Sequence, residues 1–380
     1  MHPSDLPRPD ASALAASRAL LDRIAADLAA HRNWMSFAGY MRIALYEPGL
    51  GYYSGKNPVF GAAGDFTTAP EMSPLFARTL ARQIAELLEP GDAVLEIGAG
   101  SGALAAELTQ ELAALGHGDA PYLILETGAG LRARQRERLG SRVHWIDTLL
   151  PQFRGVILAN EVVDAMQVHA LSWTQNGILE RGVCVNEGEL AWCDRPAQGK
   201  VLDCASEIDI ALPPSGSYQS ELGLAGRAWV RTVAGCLKRG ALIVIDYGFP
   251  QPEYYHPQRS SGTLMCHYRH RAHGDPFYLP GLQDITAHVD FSALAREARE
   301  AGLEVLGYSS QAQFLINCGI TELLGEIDTS DVRRYAPAAA AANRLLSPAE
   351  MGELFKVLVV GRGVTGELAG FRQGDRSCVL

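Results

Sequence analysis

The stretch Val94-Leu95-Glu96-Ile97-Gly98-Ala99-Gly100-Ser101-Gly102-Ala103 decides how the chain is read. An apolar run ending in glycines, followed by a helix-forming segment to about Leu115, predicts strand, tight loop and helix. Glycines at that junction let a ligand approach the backbone and expose N–H groups at the helix start. As Gly98-x-Gly100-x-x-Ala103 the run also satisfies the relaxed dinucleotide pattern, so taken alone it admits two ligands. Gly102, two residues after the second glycine, and Glu96, two before the first, tilt the reading toward S-adenosylmethionine. A carboxylate at the strand end suits that ligand's ammonium and sulfonium, and would repel a pyrophosphate.

Working outward, strands are expected at Ala93–Ile97, Tyr122–Leu125, Val143–Ile146, Val156–Ala159, Ala241–Tyr247, Leu303–Tyr308 and Phe355–Val360. Helices are expected at about Ser73–Leu88, Gly102–Leu115, Leu131–Leu139, Gly226–Lys238 and Phe291–Ala301, with two or three more before the last strand. Alternating strands and helices predict a doubly wound, Rossmann-like α/β sheet. Ahead of it, Leu14, Leu20, Leu21, Ile24 and Leu28 recur at helical spacing between Ser12 and His31, predicting an N-terminal helical extension. Short apolar runs from Val168 to Val201, with Asn176-Gly177 and Asn186-Glu187-Gly188 turns, predict an antiparallel β insertion. The expected organisation is therefore an N-terminal helical and Gly-rich region at 1–90 and the first part of the core at 91–167. The β insertion follows at 168–225, and the second part of the core, with covering loops, at 226–380.

The second strand ends Leu125-Glu126, and an acidic residue there can accept from both ribose hydroxyls of either nucleotide ligand. Asp147, after the third strand, could meet an adenine amino group or be solvated. After the fourth strand comes Asn160-Glu161-Val162-Val163-Asp164. Strand carboxyl ends line the ligand crevice of open α/β sheets, so this cluster can hold a guanidinium or an amine. The competing reading is helix capping.

With 380 residues, 47% hydrophobic and 20% charged, the chain suits a folded protein of about two domains or one enlarged one. A net charge of -10 argues against a broad nucleic-acid-binding face. No run approaches the ~18 apolar residues of a membrane span. The N-terminus lacks the pattern of a signal peptide, and the seven cysteines contain no CxxC pair. A cytoplasmic protein is expected. His267, His270, His273 and His288 have no familiar metal-ligand spacing, so no metal is expected.

Several blocks occur in order: Tyr46-Glu47-Pro48-Gly49-Leu50-Gly51-Tyr52-Tyr53, Gly64-Asp65-Phe66-Thr67-Thr68-Ala69-Pro70-Glu71, Leu95–Gly102, Ala159–Ala165, Asp246-Tyr247-Gly248-Phe249, and Gly262 through Phe291. From about residue 33 to 361 the chain resembles the MidA-type methyltransferases, whose mitochondrial members are protein arginine methyltransferases assisting respiratory complex I assembly. The resemblance implies a class I S-adenosylmethionine-dependent methyltransferase with a seven-stranded sheet. It implies cofactor contacts from Gly98, Gly100 and Gly102, with Glu126 on the ribose, and places Gly64, Asp65 and Thr68 near the cofactor or acceptor. The chain departs from the family at Thr127-Gly128-Ala129-Gly130 and at Met166-Gln167. Joining both readings, the expected cofactor set is Gly64, Thr68, Glu96, Gly98, Gly100, Gly102, Glu126, Asp147 and Asn160. Asp65, Glu71, Glu161 and Asp164 are the expected grip on an arginine of a protein substrate. The Tyr46–Glu71 and Pro250–Asp290 segments would cover that acceptor. A homodimer is one assembly open to such a chain. The competing function is a non-catalytic assembly or chaperone module that keeps the cofactor fold; an NAD-dependent oxidoreductase ranks below both.

Overall fold

The computed structural model describes residues 6–55 and 68–380. They fall into two compact units, one of Met1–Phe66, Asp164–Arg227 and Gln251–Val289, the other of Thr67–Val163, Ala228–Pro250 and Asp290–Leu380. The second, which carries the glycine loop, holds seven strands of an eight-stranded sheet, numbered here in chain order. They are β1 Ala93–Ile97, β2 Tyr122–Leu125, β3 His144–Ile146, β4 Phe153–Asn160, β5 Leu237–Phe249, β6 Glu304–Ser310 and β7 Phe355–Arg362. Across the sheet they run β6-β7-β5-β4-β1-β2-β3. Neighbours from β5 to β3 are parallel, and β7 is antiparallel to both β5 and β6. This is the doubly wound order, with its switch point between β1 and β4, where the loops after both strands open a crevice.

Side chains on both faces of the central strands are buried. Val94, Ile124, Val156, Leu158, Ile243, Val357 and Val359 share one core with Phe76, Leu80, Ile84, Leu104, Leu108 and Phe314 from the helices. Leu95, Ile157, Leu242, Val244, Leu358 and Val360 point the other way and are buried too. Burial on both faces explains why these strands read as continuous apolar runs. Each such side chain contributes about 1.5–3 kcal/mol. At the end of the sheet remote from the glycine loop, buried Asp92 receives Arg239 at 2.7 Å and so ties the starts of β1 and β5. The helix Pro74–Leu87 begins at Ser73, whose hydroxyl accepts from Leu75 N at 3.2 Å, with Pro74 in its first turn.

In the other unit, Asp10 caps the helix Ala11–Ala30, which buries Leu20, Ile24 and Leu28 at four-residue spacing. Those residues pack with the helix Phe37–Tyr46 in a separate core. A five-stranded sheet joins Met35–Ser36, Gly177–Asn186, His169–Thr174 and Ser217–Leu222, with Glu189–Pro196 paired to Gly177–Asn186. The expected turn at Asn186-Glu187-Gly188 forms, with positive φ at Glu187 (51°) and Gly188 (88°), as a tight hairpin needs. The sheet also recruits Met35–Ser36, a pairing to Val183 and Gly182 that local pattern does not reveal. The 250–290 segment, expected to be a loop, holds a second sheet of Arg271–His273, Met265–Tyr268 and Asp284–Thr286. Its strands are three or four residues long and rich in polar side chains, so they carry no alternating signature. Among the described residues no helix is long and apolar enough to cross a membrane.

Candidate active site

The loop after β1 is built on left-handed backbone: φ is 67° at Gly98, 54° at Gly100 and 79° at Gly102, which caps the helix Ala103–Ala114. A Cβ at Gly98 would lie 3.1 Å from Val162 Cγ2, so the loop after β1 and the turn after β4 approach as only glycine allows. Gly98 N donates to Leu125 O at 3.0 Å, which holds the loop against the end of β2.

Three acceptors surround this loop. Glu96 is buried, and its Oε2 accepts from the Tyr122 hydroxyl at 2.7 Å. Burial raises its pKa to about 7; the Tyr122 bond opposes that rise, and the charge of Glu126 adds to it. Glu126 is also buried and shifted upward by desolvation. Its Oε1 accepts from Gly128 N at 2.8 Å and its Oε2 from Gln135 Nε2 at 3.0 Å. The Thr127–Gly130 turn thus presents a backbone donor to the carboxylate. Asn160, at the end of β4, has its Oδ1 buried without a hydrogen-bond partner, while its Nδ2 donates to Glu161 Oε1 at 3.2 Å.

Glu161 itself sits at φ 54°, unusual for a residue with a side chain, with its N–H on Ile245 O at 2.8 Å. Asp246, fully buried in β5, fixes that turn: its Oδ2 accepts from Val163 N and its Oδ1 from Tyr247 N, both at 3.0 Å. Glu71 lies on the short helix Ala69–Met72 and bonds the Ser101 hydroxyl of the glycine loop, and Arg138 reaches both, at 3.4 Å to Glu71 and 2.8 Å to Ser101. Glu71 is therefore placed against the cofactor loop with an arginine of the chain's own.

The structure thus gathers Glu96, Gly98, Gly100, Gly102, Glu126, Asn160, Glu161 and Glu71 in one unit. Thr68 precedes the Ala69–Met72 helix without a side-chain capping bond. Asp147, beyond β3, is exposed and ion-paired with Arg132. Asp164 belongs to the other unit, where it is buried and its carbonyl accepts from Ala287 N at 3.0 Å. Its charge, with that of Asp284, adds to burial in raising the pKa of the Tyr53 hydroxyl, which donates to Asp284 at 2.9 Å. Gly64 and Asp65 lie outside the described residues. Sequence reasoning missed Ser101, Tyr122, Gln135 and Asp246. For Gln135 a signal existed: it occupies the buried stripe Leu131, Gln135, Leu139 of its helix, where an apolar residue is the norm.

Two buried carboxylates and an unsatisfied amide oxygen beside a glycine loop fit a ligand that offers donors and positive charge: ribose hydroxyls, an ammonium, a sulfonium. They do not fit a pyrophosphate. Fold and site together define a class I S-adenosylmethionine-dependent methyltransferase.

Comparison with known proteins agrees. Residues 75–309 match the family described as "Putative S-adenosyl-L-methionine-dependent methyltransferase", and the chain belongs to that family. A protein from Burkholderia thailandensis, bound to S-adenosyl-homocysteine in its crystal structure, is similar at 50% identity over 99% of this chain and 100% of its own, with a TM-score of 0.94. The "Protein arginine methyltransferase NDUFAF7, mitochondrial" of Danio rerio is 29% identical, over 91% of this chain and 87% of its own. That of Mus musculus is 28% identical, over 84% and 79%.

Proposed function

We propose that the protein transfers a methyl group from S-adenosylmethionine to a guanidinium nitrogen of an arginine in a protein substrate. The observation that carries the reading is the all-acceptor lining of the glycine loop by Glu96, Glu126 and Asn160 Oδ1, next to a strained turn that projects Glu161. The arginine acceptor is supported by the relatives named for that activity, which align over most of the chain.

Glu126 would hold the ribose hydroxyls, and Glu96 with Asn160 Oδ1 would hold the ammonium end. S-adenosylmethionine supplies a methyl on a positively charged sulfur, so departure of the neutral thioether is intrinsically favourable. What remains for the chain is alignment and exclusion of water. Glu161, its Oε1 held by Asn160 Nδ2, would pair with the guanidinium and orient one nitrogen lone pair. It would then accept the proton that the methylated nitrogen releases. The reaction would take place in the cytoplasm.

The test is incubation with radiolabelled S-adenosylmethionine and arginine-containing proteins of the same cell, followed by amino-acid analysis of the hydrolysate. Label in methylarginine is the expected result. Label in lysine, carboxyl groups or small molecules would overturn the acceptor assignment. Tight S-adenosyl-homocysteine binding with no transfer to any protein would replace the enzyme by the assembly-module reading.

A further inference from the structure

Gln135 is fully buried in the middle of a helix whose exposed positions include Arg134, Arg136 and Arg138. Leu131 and Leu139, one turn to either side, do the apolar packing, and a third leucine would continue the stripe. An amide in that position costs desolvation unless its hydrogen bonds are all made. Here they are. The two amide hydrogens go to Gly100 O at 2.9 Å and Glu126 Oε2 at 3.0 Å, and Oε1 accepts from Trp145 Nε1 at 3.0 Å. Only one amide orientation is consistent with this set. Turned over, the oxygen would face two acceptors and the NH2 group would face the indole N–H.

We infer that Gln135 is a positioning residue of the cofactor site, oriented by Trp145. It spans from the glycine-loop carbonyl to the carboxylate after β2, and so fixes the spacing between the two places where opposite ends of S-adenosylmethionine are held. With Gly128 N on one carboxylate oxygen and Gln135 on the other, the lone pairs that remain on Glu126 point in a set direction. The inference rests on the reading of Glu126 as the ribose partner.

The experiment is a double-mutant cycle on the full chain, with S-adenosyl-homocysteine as the calorimetric probe. Gln135→Leu and Glu126→Gln are each expected to weaken binding by about tenfold or more, the scale of a hydrogen bond to a charged group. If Gln135 acts through Glu126, adding Gln135→Leu to the Glu126→Gln chain should cost under about threefold more. Trp145→Phe keeps the ring and removes only the orienting donor. It leaves Gln135 Oε1 unpaired and should lower the unfolding midpoint modestly, yet at a temperature well below that midpoint, where the chain is fully folded, binding should still weaken by a few-fold, a loss that a purely structural role would not give. This variant carries the test if Gln135→Leu does not fold. Wild-type affinity in Gln135→Leu, additive losses in the cycle, or wild-type affinity in Trp145→Phe would each overturn the inference while leaving Glu126 as the ribose partner. An unaltered affinity in Glu126→Gln would instead remove the reading beneath it, and the inference with it.

Discussion

Replacing Glu96 by glutamine should make the protein more stable at alkaline pH and a poorer binder of its cofactor. The wild-type carboxyl is buried beside β2 and ionises at about 7 in the folded chain, against 4.5 when unfolded. Raising a carboxyl by that much disfavours the ionised folded state by about 3 kcal/mol. Below pH 4.5 the group is protonated in both states and the stability it allows is complete. Between 4.5 and about 7 the unfolded chain gives up a proton that the folded chain retains, so stability falls with rising pH. Above about 7 the loss is full. Glutamine never ionises and can still accept from the Tyr122 hydroxyl through its amide oxygen. The stability advantage of Glu96→Gln should therefore grow from near zero at pH 4.5 to about 3 kcal/mol at pH 8, measured by urea unfolding of both proteins across that range. Over the same interval the wild type should gain affinity for S-adenosyl-homocysteine as its carboxylate forms opposite the ligand ammonium. S-adenosylmethionine, with its added sulfonium charge, should show the steeper gain. The variant should bind both weakly and with no such slope. A stability difference that stays flat with pH, or a variant less stable than wild type at pH 8, would refute the argument that burial strains this carboxylate.

Gly98→Ala, at φ 67° and 3.1 Å from Val162, should cost about 1–2 kcal/mol in unfolding free energy and lower S-adenosyl-homocysteine affinity by more than tenfold in calorimetry. Tyr122→Phe removes the bond that holds the Glu96 pKa down, so the pH at which cofactor affinity is half-developed should move above that of the wild type in the same titration. Glu161→Gln should lower methyl transfer by about two orders of magnitude with cofactor affinity nearly unchanged; lost affinity instead would put the residue in contact with the cofactor. Asp246→Asn replaces an acceptor by a donor facing a backbone N–H, at Val163 or at Tyr247, and should lower stability by about 2 kcal/mol by thermal unfolding.

The glycine-loop unit was readable in outline because its strands are buried on both faces. Ala93–Ile97 and Tyr122–Leu125 stand out as apolar runs between turns, and the structure ends them at those residues. β4 extends to Phe153 and β5 to Leu237, beyond the expected Val156 and Ala241, because their first residues include arginine, lysine and glycine rather than an apolar run. The second sheet of the 250–290 segment stayed hidden because Arg271–His273 and Asp284–Thr286 are three residues long and both pair with Met265–Tyr268 of the same polar segment, which leaves no alternating run to read. At the site, glycines and carboxylates announce themselves by chemistry and position. Gln135, Tyr122 and Asp246 do not, since their roles follow from what they face across the fold: a carbonyl, a carboxylate, a backbone N–H. The expectation for Glu71 shows the reverse limit. Its charge was legible, but its Ser101 and Arg138 partners, 30 and 67 residues away, were not.

The chain changes unit after residues 66, 163, 227, 250 and 289, and β7, the last strand, lies between β5 and β6. During synthesis, then, neither unit can close early. The N-terminal unit waits for its last strands near residue 286, and the larger sheet of the other unit waits for residues 355–362 to leave the ribosome. Until then β5 and β6 present open edges, a state prone to pairing with neighbouring chains. A nascent chain halted before residue 355 should depend on chaperones. For the same reason neither unit can be excised as a continuous fragment, exchanged by recombination at a single joint, or expected to fold when the gene is cut in two.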